Sequence, residues 1–264
     1  FRLCNFIRHW FSFYKSDMPR MQTNTLIIGA GISGLASAAA LQKKHIEYII
    51  IEKQNQVASA WRNHYDRLHL HTSKRFSHLP FRRFGKGIPR YPGRQEVVDY
   101  LDDYRKEFNI HPVFNTAARS VRRESEHWIT ETDAGGIVSK YLIMATGAYG
   151  KPKPVSFQGM NTFPGRILHS AEYRTGKDFA GQKVLVVGFG NSACEIAIDL
   201  YEQGAIPFMS VRSPVNVIPR DVLGLPVIEL SLLLNRLPVR MADALSAPLL
   251  KWLTGDLNKL GLKK

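Results

Sequence analysis

The chain has 264 residues, enough for one large or two modest domains, and its 36 Lys and Arg against 22 Asp and Glu leave a formal charge of +14. Its 2 cysteines, Cys4 and Cys194, form no Cys-x-x-Cys, which excludes a dithiol redox pair, and such low usage suits a reducing, cytoplasmic setting. No apolar run reaches the length of about 18 residues that a membrane-spanning helix needs.

In chain order, residues 1–21 form an arm, aromatic and basic up to residue 17, that begins with Phe1. It reads either as a targeting or membrane-surface segment or as sequence upstream of the native start, and we prefer the second. Leu26-Ile27-Ile28 then predicts a buried strand, Leu35–Leu41 a helix, and Tyr48–Ile51 a second strand ending in Glu52. Between the first strand and the helix lies Gly29-Ala30-Gly31-Ile32-Ser33-Gly34, so the stretch reads as one dinucleotide-binding βαβ unit. Gly29 permits the tight turn, Gly31 lets backbone approach a pyrophosphate, and Gly34 lets the helix pack on the strand. The N–H groups at the helix start then face the phosphates. Glu52 is placed to accept hydrogen bonds from a ribose. An acid there disfavours a 2′-phosphate, so FAD or NAD fits better than NADP.

Residues 62–94 hold nine Arg or Lys against the single acid Asp66. No nucleic-acid recognition motif accompanies them. Attraction of polyanionic cofactors is the preferred reading, with a solvated basic face kept open for Arg82, Arg83 and Lys86. Residues 113–123 and 128–147 read as β-rich, with a turn at Ala134-Gly135-Gly136. Ala145-Thr146-Gly147 follows. A strand end of such small residues lets backbone crowd against a cofactor, and equally it is a plain exit into a loop.

A second fingerprint, Gly188-Phe189-Gly190-Asn191-Ser192-Ala193, follows the strand Val184–Val187. Asn191 through Gln203 predicts an amphipathic helix, with Ile196, Ile198 and Leu200 apolar and Glu195, Asp199 and Glu202 charged. Gly204 is its expected C-terminal stop, and Pro207–Val211 a weaker strand. Arg212-Ser213 then stands where the first unit had Glu52-Lys53. Arg at that position favours a 2′-phosphate and hence NADP, with a second FAD site as the alternative. Residues 222–262 are leucine-rich. Core helices are the default there, while helices at a substrate mouth or a membrane surface remain open.

Phe163, Gly165, His169 and Tyr173 between the two fingerprints make the pattern Phe-x-Gly-x-x-x-His-x-x-x-Tyr. On this pattern the chain resembles the flavin-containing monooxygenases. Trp61-Arg62, Tyr65–His71, Leu79-Pro80, Tyr91-Pro92, Gly188–Ser192, Val211-Arg212 and Pro219–Asp221 resemble the YUCCA-type, indole-3-pyruvate monooxygenase-like branch and its bacterial relatives. The resemblance implies an α/β fold of two Rossmann-like dinucleotide-binding domains. An FAD domain of glutathione-reductase type, first part 22–160, would carry an inserted NADPH domain, 161–264, and the chain would be C-terminally incomplete.

It also implies an NADPH-dependent flavin monooxygenase. NADPH would reduce FAD, and O2 would form a C4a-hydroperoxyflavin that oxygenates a small molecule: a 2-oxo acid such as indole-3-pyruvate, or an amine or sulfide. Carried over by position, FAD would meet Gly29, Gly31, Gly34, Glu52, Lys53, Trp61, Arg62, His71, Thr72, backbone at Val121, and Ala145, Thr146 and Gly147. NADPH would meet Gly188, Gly190, Asn191, Ser192, Ala193, Arg212 and Ser213. No metal ligands are expected. His71 and His169 are the candidate catalytic side chains, although the motif containing His169 reads as structural. Several animal-type members have Asn near the flavin where this chain has His71, a departure that favours the YUCCA-like branch over amine oxygenation. Two alternatives stand beside the monooxygenase: an NAD(P)H-dependent flavin reductase or electron donor, and a truncated, non-catalytic NADP-binding fragment.

Overall fold

The computed structural model describes residues 20–148, 150, 152–213, 215, 219–222, 224–234, 237–242, 244, 248 and 255. The arm up to residue 19 lies outside them, as does about half of the leucine-rich stretch, Trp252 and Leu253 included. The chain divides into two compact units: residues 1–63, 79–83 and 95–154, and residues 64–78, 84–94 and 155–264. The domain boundary expected at residue 160 lies near the last of these breaks, but two earlier segments join the second unit.

In the first unit, β1 (Met21–Ile28) leads through the glycine turn into α1 (Ile32–Lys43) and on to β2 (Tyr48–Ile51). The strand is longer than its apolar end suggested, because Met21 through Thr23 pair with residues 137–139. Leu26, Ile27 and Ile28 are buried, and α1 turns Gly34, Leu35, Ala38 and Ala39 inward. Three of those four side chains are small or absent, so the helix lies close to the sheet. Two short helical turns come next, α2 (Ser59–Arg62) in this unit and α3 (Lys74–Ser77) in the second.

The longer α4 (Arg94–Glu107) buries Val97, Val98, Leu101 and Tyr104, one stripe at helical spacing. Tyr100 on the same helix accepts from the Leu79 N–H at 2.7 Å and donates to the Arg82 carbonyl at 2.7 Å, which ties the 79–83 segment to this unit.

A meander of β3 (Ala118–Glu124), β4 (His127–Thr132) and β5 (Gly135–Met144) completes a five-stranded sheet of order β2-β1-β5-β4-β3. β2, β1 and β5 run parallel, and β4 and β3 antiparallel to their neighbours. The β-rich stretch expected from residue 113 is interrupted. Val113 makes a parallel bridge to Ile51, and Asn115, at φ 52°, then turns the chain before β3 starts.

The second unit holds β6 (Lys183–Val187), α5 (Asn191–Glu202) and β7 (Ile206–Ser210), with the two strands parallel. Gly204 ends the helix at φ 83°, where the Ala205 N–H reaches back to the Leu200 carbonyl at 2.8 Å. The core is Tyr65, Tyr173, Phe179, Ile196, Leu200 and Ala205, with Val184 and Val186 packed against it. Tyr65 is the reason the 64–78 segment belongs here. A β-ribbon, β8 (Asp221–Val222) with β9 (Leu225–Pro226), and α6 (Val227–Leu234) follow.

The amphipathic reading of α5 needs one correction. Asp199 is buried and Ile198 is 44% exposed. Positions 196, 199 and 200 share one helix face, and Asp199 is tolerated on it because Tyr173 Oη donates to its carboxylate at 2.6 Å and the Gly176 N–H at 2.8 Å.

Candidate dinucleotide sites

The first fingerprint is a built turn. Gly29 has φ +106°, and a Cβ there would stand 2.5 Å from the Ala145 carbonyl oxygen. A Cβ on Gly34 would stand 1.9 Å from the Gly29 carbonyl oxygen, so any side chain would push helix and turn apart. Nothing lies within 4 Å of the same atom placed on Gly31, where the backbone opens onto free space.

The helix behind it begins at Gly31 without a capping side chain and with no acid in its first turn. Its first N–H groups therefore keep their affinity for an anion. The Ala145 N–H donates to the Ile28 carbonyl at 2.9 Å, so Ala145 and the Thr146-Gly147 that follow it exit beside the glycine turn.

Glu52 is buried at the end of β2, and its carboxylate holds backbone. The Ala30 N–H donates to Oε2 at 2.8 Å and the Gln54 N–H to Oε1 at 3.0 Å. Each oxygen keeps a further acceptor direction for a ribose hydroxyl. Ala30 also accepts from the Ala58 N–H at 3.3 Å, which brings residues 57–62 to the same turn. Arg62 in that segment donates to the Val57 carbonyl at 3.0 Å and pairs with Asp102 at 2.5 Å, while Trp61 is half-buried and Lys53 exposed. Val121 sits mid-strand on β3, opposite Thr130, and packs against the sheet core. His71 and Thr72 belong to the second unit, where His71 is exposed and the Thr72 hydroxyl meets that of Ser77 at 2.5 Å.

The second fingerprint repeats the design with one difference. Gly188 turns at φ +119°, and its N–H donates to the Ser210 carbonyl at 2.9 Å. Gly190 has nothing within 4 Å of a placed Cβ, and α5 again starts without a capping side chain or an early acid. Ala193 stands where the first unit has Gly34, with its methyl 4.0 Å from where a Gly188 Cβ would stand. Arg212 and Ser213, just past β7, are exposed and open to a ligand.

The Phe163–Tyr173 stretch is structural at its far end. Tyr173 stacks on Phe179 at 5.9 Å and meets Tyr65 edge-on at 6.3 Å. Burial, then the carboxylate of Asp199, push its phenol well above the usual tyrosine range. A Cβ on Gly176 would meet the Asp199 carbonyl oxygen at 2.6 Å, so the segment after the motif lies directly on α5. His169 uses its Nδ1 to accept from the Ala171 N–H at 3.1 Å, a turn-building bond, while Phe163 is exposed.

The basic stretch proves to be engaged within the protein. Arg67 pairs with Glu195 and Glu202, Arg82 with Asp103 and Glu107, Arg90 with Asp221, and Arg94 with Asp66. Lys74 Nζ donates to the carbonyls of Gly85, Lys86 and Ile88. Part of the local excess is therefore balanced by acids outside the stretch, Asp103 and Glu107 just beyond it and Glu195, Glu202 and Asp221 far along the chain. Arg82 in particular is no solvated residue.

Residues 26–219 match the pyridine nucleotide-disulphide oxidoreductase family, and the chain belongs to it. It is 40% identical over 252 residues to the indole-3-pyruvate monooxygenase YUCCA6 of Arabidopsis thaliana, covering 92% of this chain and 60% of that one. It is 38% identical to the indole-3-pyruvate monooxygenase YUCCA4 of Oryza sativa subsp. japonica, covering 94% and 60%. The flavin-containing monooxygenase of Stenotrophomonas maltophilia superposes with a TM-score of 0.70 at 26% identity, over 76% of this chain and 61% of that one. The chain thus spans about 60% of the length of these curated relatives. The fold is the expected α/β arrangement with Rossmann-type dinucleotide-binding units, and the chain is partial relative to those relatives. Among the described residues no helix is long and apolar enough to cross a membrane.

Proposed function

We propose that this chain is the cofactor-binding portion of an NADPH-dependent flavin monooxygenase. The observation that carries the reading is the pair of helix starts. Each follows a parallel strand, begins at an uncapped glycine and has open space where a side chain would stand, and the two differ at the ribose position, Glu52 in one and Arg212 in the other. Gly29, Gly31, Gly34, Glu52 and the 145–147 strand end would hold FAD, with Lys53, Trp61, Arg62, His71, Thr72 and Val121 as further contacts. Gly188, Gly190, Asn191, Ser192, Ala193, Arg212 and Ser213 would hold NADPH.

When bound, FAD supplies hydride acceptance from NADPH and activation of O2 toward an organic substrate. The chain's residues bind and orient. Backbone N–H groups of the two turns would meet the pyrophosphates and Arg212 would read the 2′-phosphate, while Glu52 fixes the first turn through Ala30 and Gln54. The named activity of the YUCCA relatives supports a 2-oxo acid such as indole-3-pyruvate as substrate, with amines and sulfides as the alternatives. The reading includes a cytoplasmic location and no nucleic-acid partner.

The test is oxygen bookkeeping. The chain, with FAD supplied, is mixed with NADPH, labelled O2 and indole-3-pyruvate. One labelled oxygen in the product per NADPH consumed is expected. Hydrogen peroxide without labelled product would instead establish a flavin reductase, and NADP binding without retained flavin a non-catalytic fragment.

A further inference from the structure

Helix α5 presents a contradiction. Its N-terminus is offered to a cofactor bearing several negative charges, yet the helix itself, Asn191–Glu202, contains Glu195, Asp199 and Glu202 and no Lys or Arg. Asp199 is satisfied by neutral donors, the Tyr173 hydroxyl and the Gly176 N–H. Glu195 lies about one turn into the helix, where a free carboxylate opposes the favourable dipole and repels phosphate.

The answering charge comes from 128 residues upstream. Arg67 donates through Nε and Nη2 to the two oxygens of Glu202, at 2.9 and 3.0 Å, and through Nη1 to Glu195. Its own segment is firmly seated. Tyr65 is buried in the core against Tyr173, the Asp66 N–H donates to the Arg174 carbonyl at 2.9 Å, and the Asp66 carboxylate is taken by Arg94 at 2.9 Å. Asp66 therefore leaves Arg67 free to serve the helix.

We propose that Arg67 is a positioning residue for nucleotide binding: it neutralises Glu195 and aligns α5 so that the helix start at Gly190 receives a phosphate-bearing cofactor. The inference rests on the reading of the second fingerprint as the NADPH site. A purely mechanical strap would hold the helix regardless of charge, whereas neutralisation makes affinity depend on the sign of position 195.

The experiment is NADP+ titration of the full chain at low and high salt, with melting temperature recorded for each variant. Arg67→Met is expected to weaken NADP+ roughly three- to tenfold at low salt, the difference shrinking at high salt as the charges are screened. Adding Glu195→Gln should restore affinity to within about twofold, and Arg67→Lys, which keeps the charge without the three-nitrogen fork, should fall between Arg67→Met and the wild type. Unchanged affinity in Arg67→Met, or a double variant as weak as the single one, overturns the proposal. If Arg67→Met does not fold, Arg67→Gln with and without Glu195→Gln repeats the cycle: affinity lost in the first and recovered in the second is expected, and no loss, or two equally weak proteins, overturns it. A wild-type chain that binds no NADP+ defeats the NADPH assignment itself, and so is distinguishable from a failure confined to Arg67.

Discussion

Tyr173 ends the Phe163–Tyr173 pattern and is 5% exposed, its hydroxyl committed to Asp199. Ionising it would set a phenolate against a carboxylate inside an apolar cluster. Its pKa in the folded protein therefore lies above the ordinary 10.0. A raised folded value means that the bound proton stabilises the fold. That contribution is fully present below about pH 10 and is lost as pH climbs through and beyond it. Tyr65 and Tyr100 are raised by burial as well, and Tyr104 is pushed up to about 12, so the wild type should lose stability progressively in alkali. Tyr173→Phe should cost about 1–3 kcal/mol near neutral pH, because Asp199 loses a buried donor. It should also lose less than the wild type between about pH 8 and about pH 11. Urea unfolding at the two pH values measures both. Parallel losses in the two proteins would show that Tyr173 does not carry the alkaline sensitivity.

At the scale of elements, α1 and α5 are near-copies whose ends differ informatively. Both were legible because a glycine-rich turn between an apolar strand and a helix is a local signal. Local patterns do not report which distant segment shares a core. Tyr65 joins Tyr173 and Leu200, and Arg67 joins Glu195, across more than a hundred residues of chain, so the pairing of Arg67 within the charge-rich 62–94 stretch leaves no local sign. Asp199 carried a readable sign, an acid in phase with Ile196 and Leu200 on the apolar face. The helix ends differ in a way that sequence alone also shows. Gly204 terminates α5 in the left-handed region, while α1 ends with His45 in the same conformation at φ 54°. The Ile46 N–H still returns to the Leu41 carbonyl at 3.0 Å, so the geometry is that of a glycine stop built with a side chain. Relieving it with His45→Gly should stabilise the first unit by about 0.5–1 kcal/mol, despite the greater freedom glycine gives the unfolded chain. Thermal melting checks it, and a lower midpoint would show that the imidazole makes contacts worth more than the strain.

For the whole molecule, the two fingerprints are built from separate sets of residues. Glu52, Ala30, Ala58 and Ala145 surround the first, and Ser210, Arg212 and the start of α5 surround the second, each set inside its own unit. Ligand binding stabilises the unit that binds it, by mass action, so damage to one ribose position should leave the other cofactor untouched. Glu52→Ala strips the acceptor from the buried Ala30 N–H as well as from the ribose, and should lower FAD retention while NADP+ affinity holds. Arg212→Ala removes a charge-assisted contact that only a 2′-phosphate can use, and should weaken NADPH about ten- to a hundredfold with NADH and FAD unaffected. Flavin content by absorbance and nucleotide affinity by titration, taken on the same preparations, give the full cross. Equal weakening of NADPH and NADH would remove the 2′-phosphate from Arg212. Undiminished FAD in Glu52→Ala would leave Glu52 as a brace for the glycine turn and nothing more.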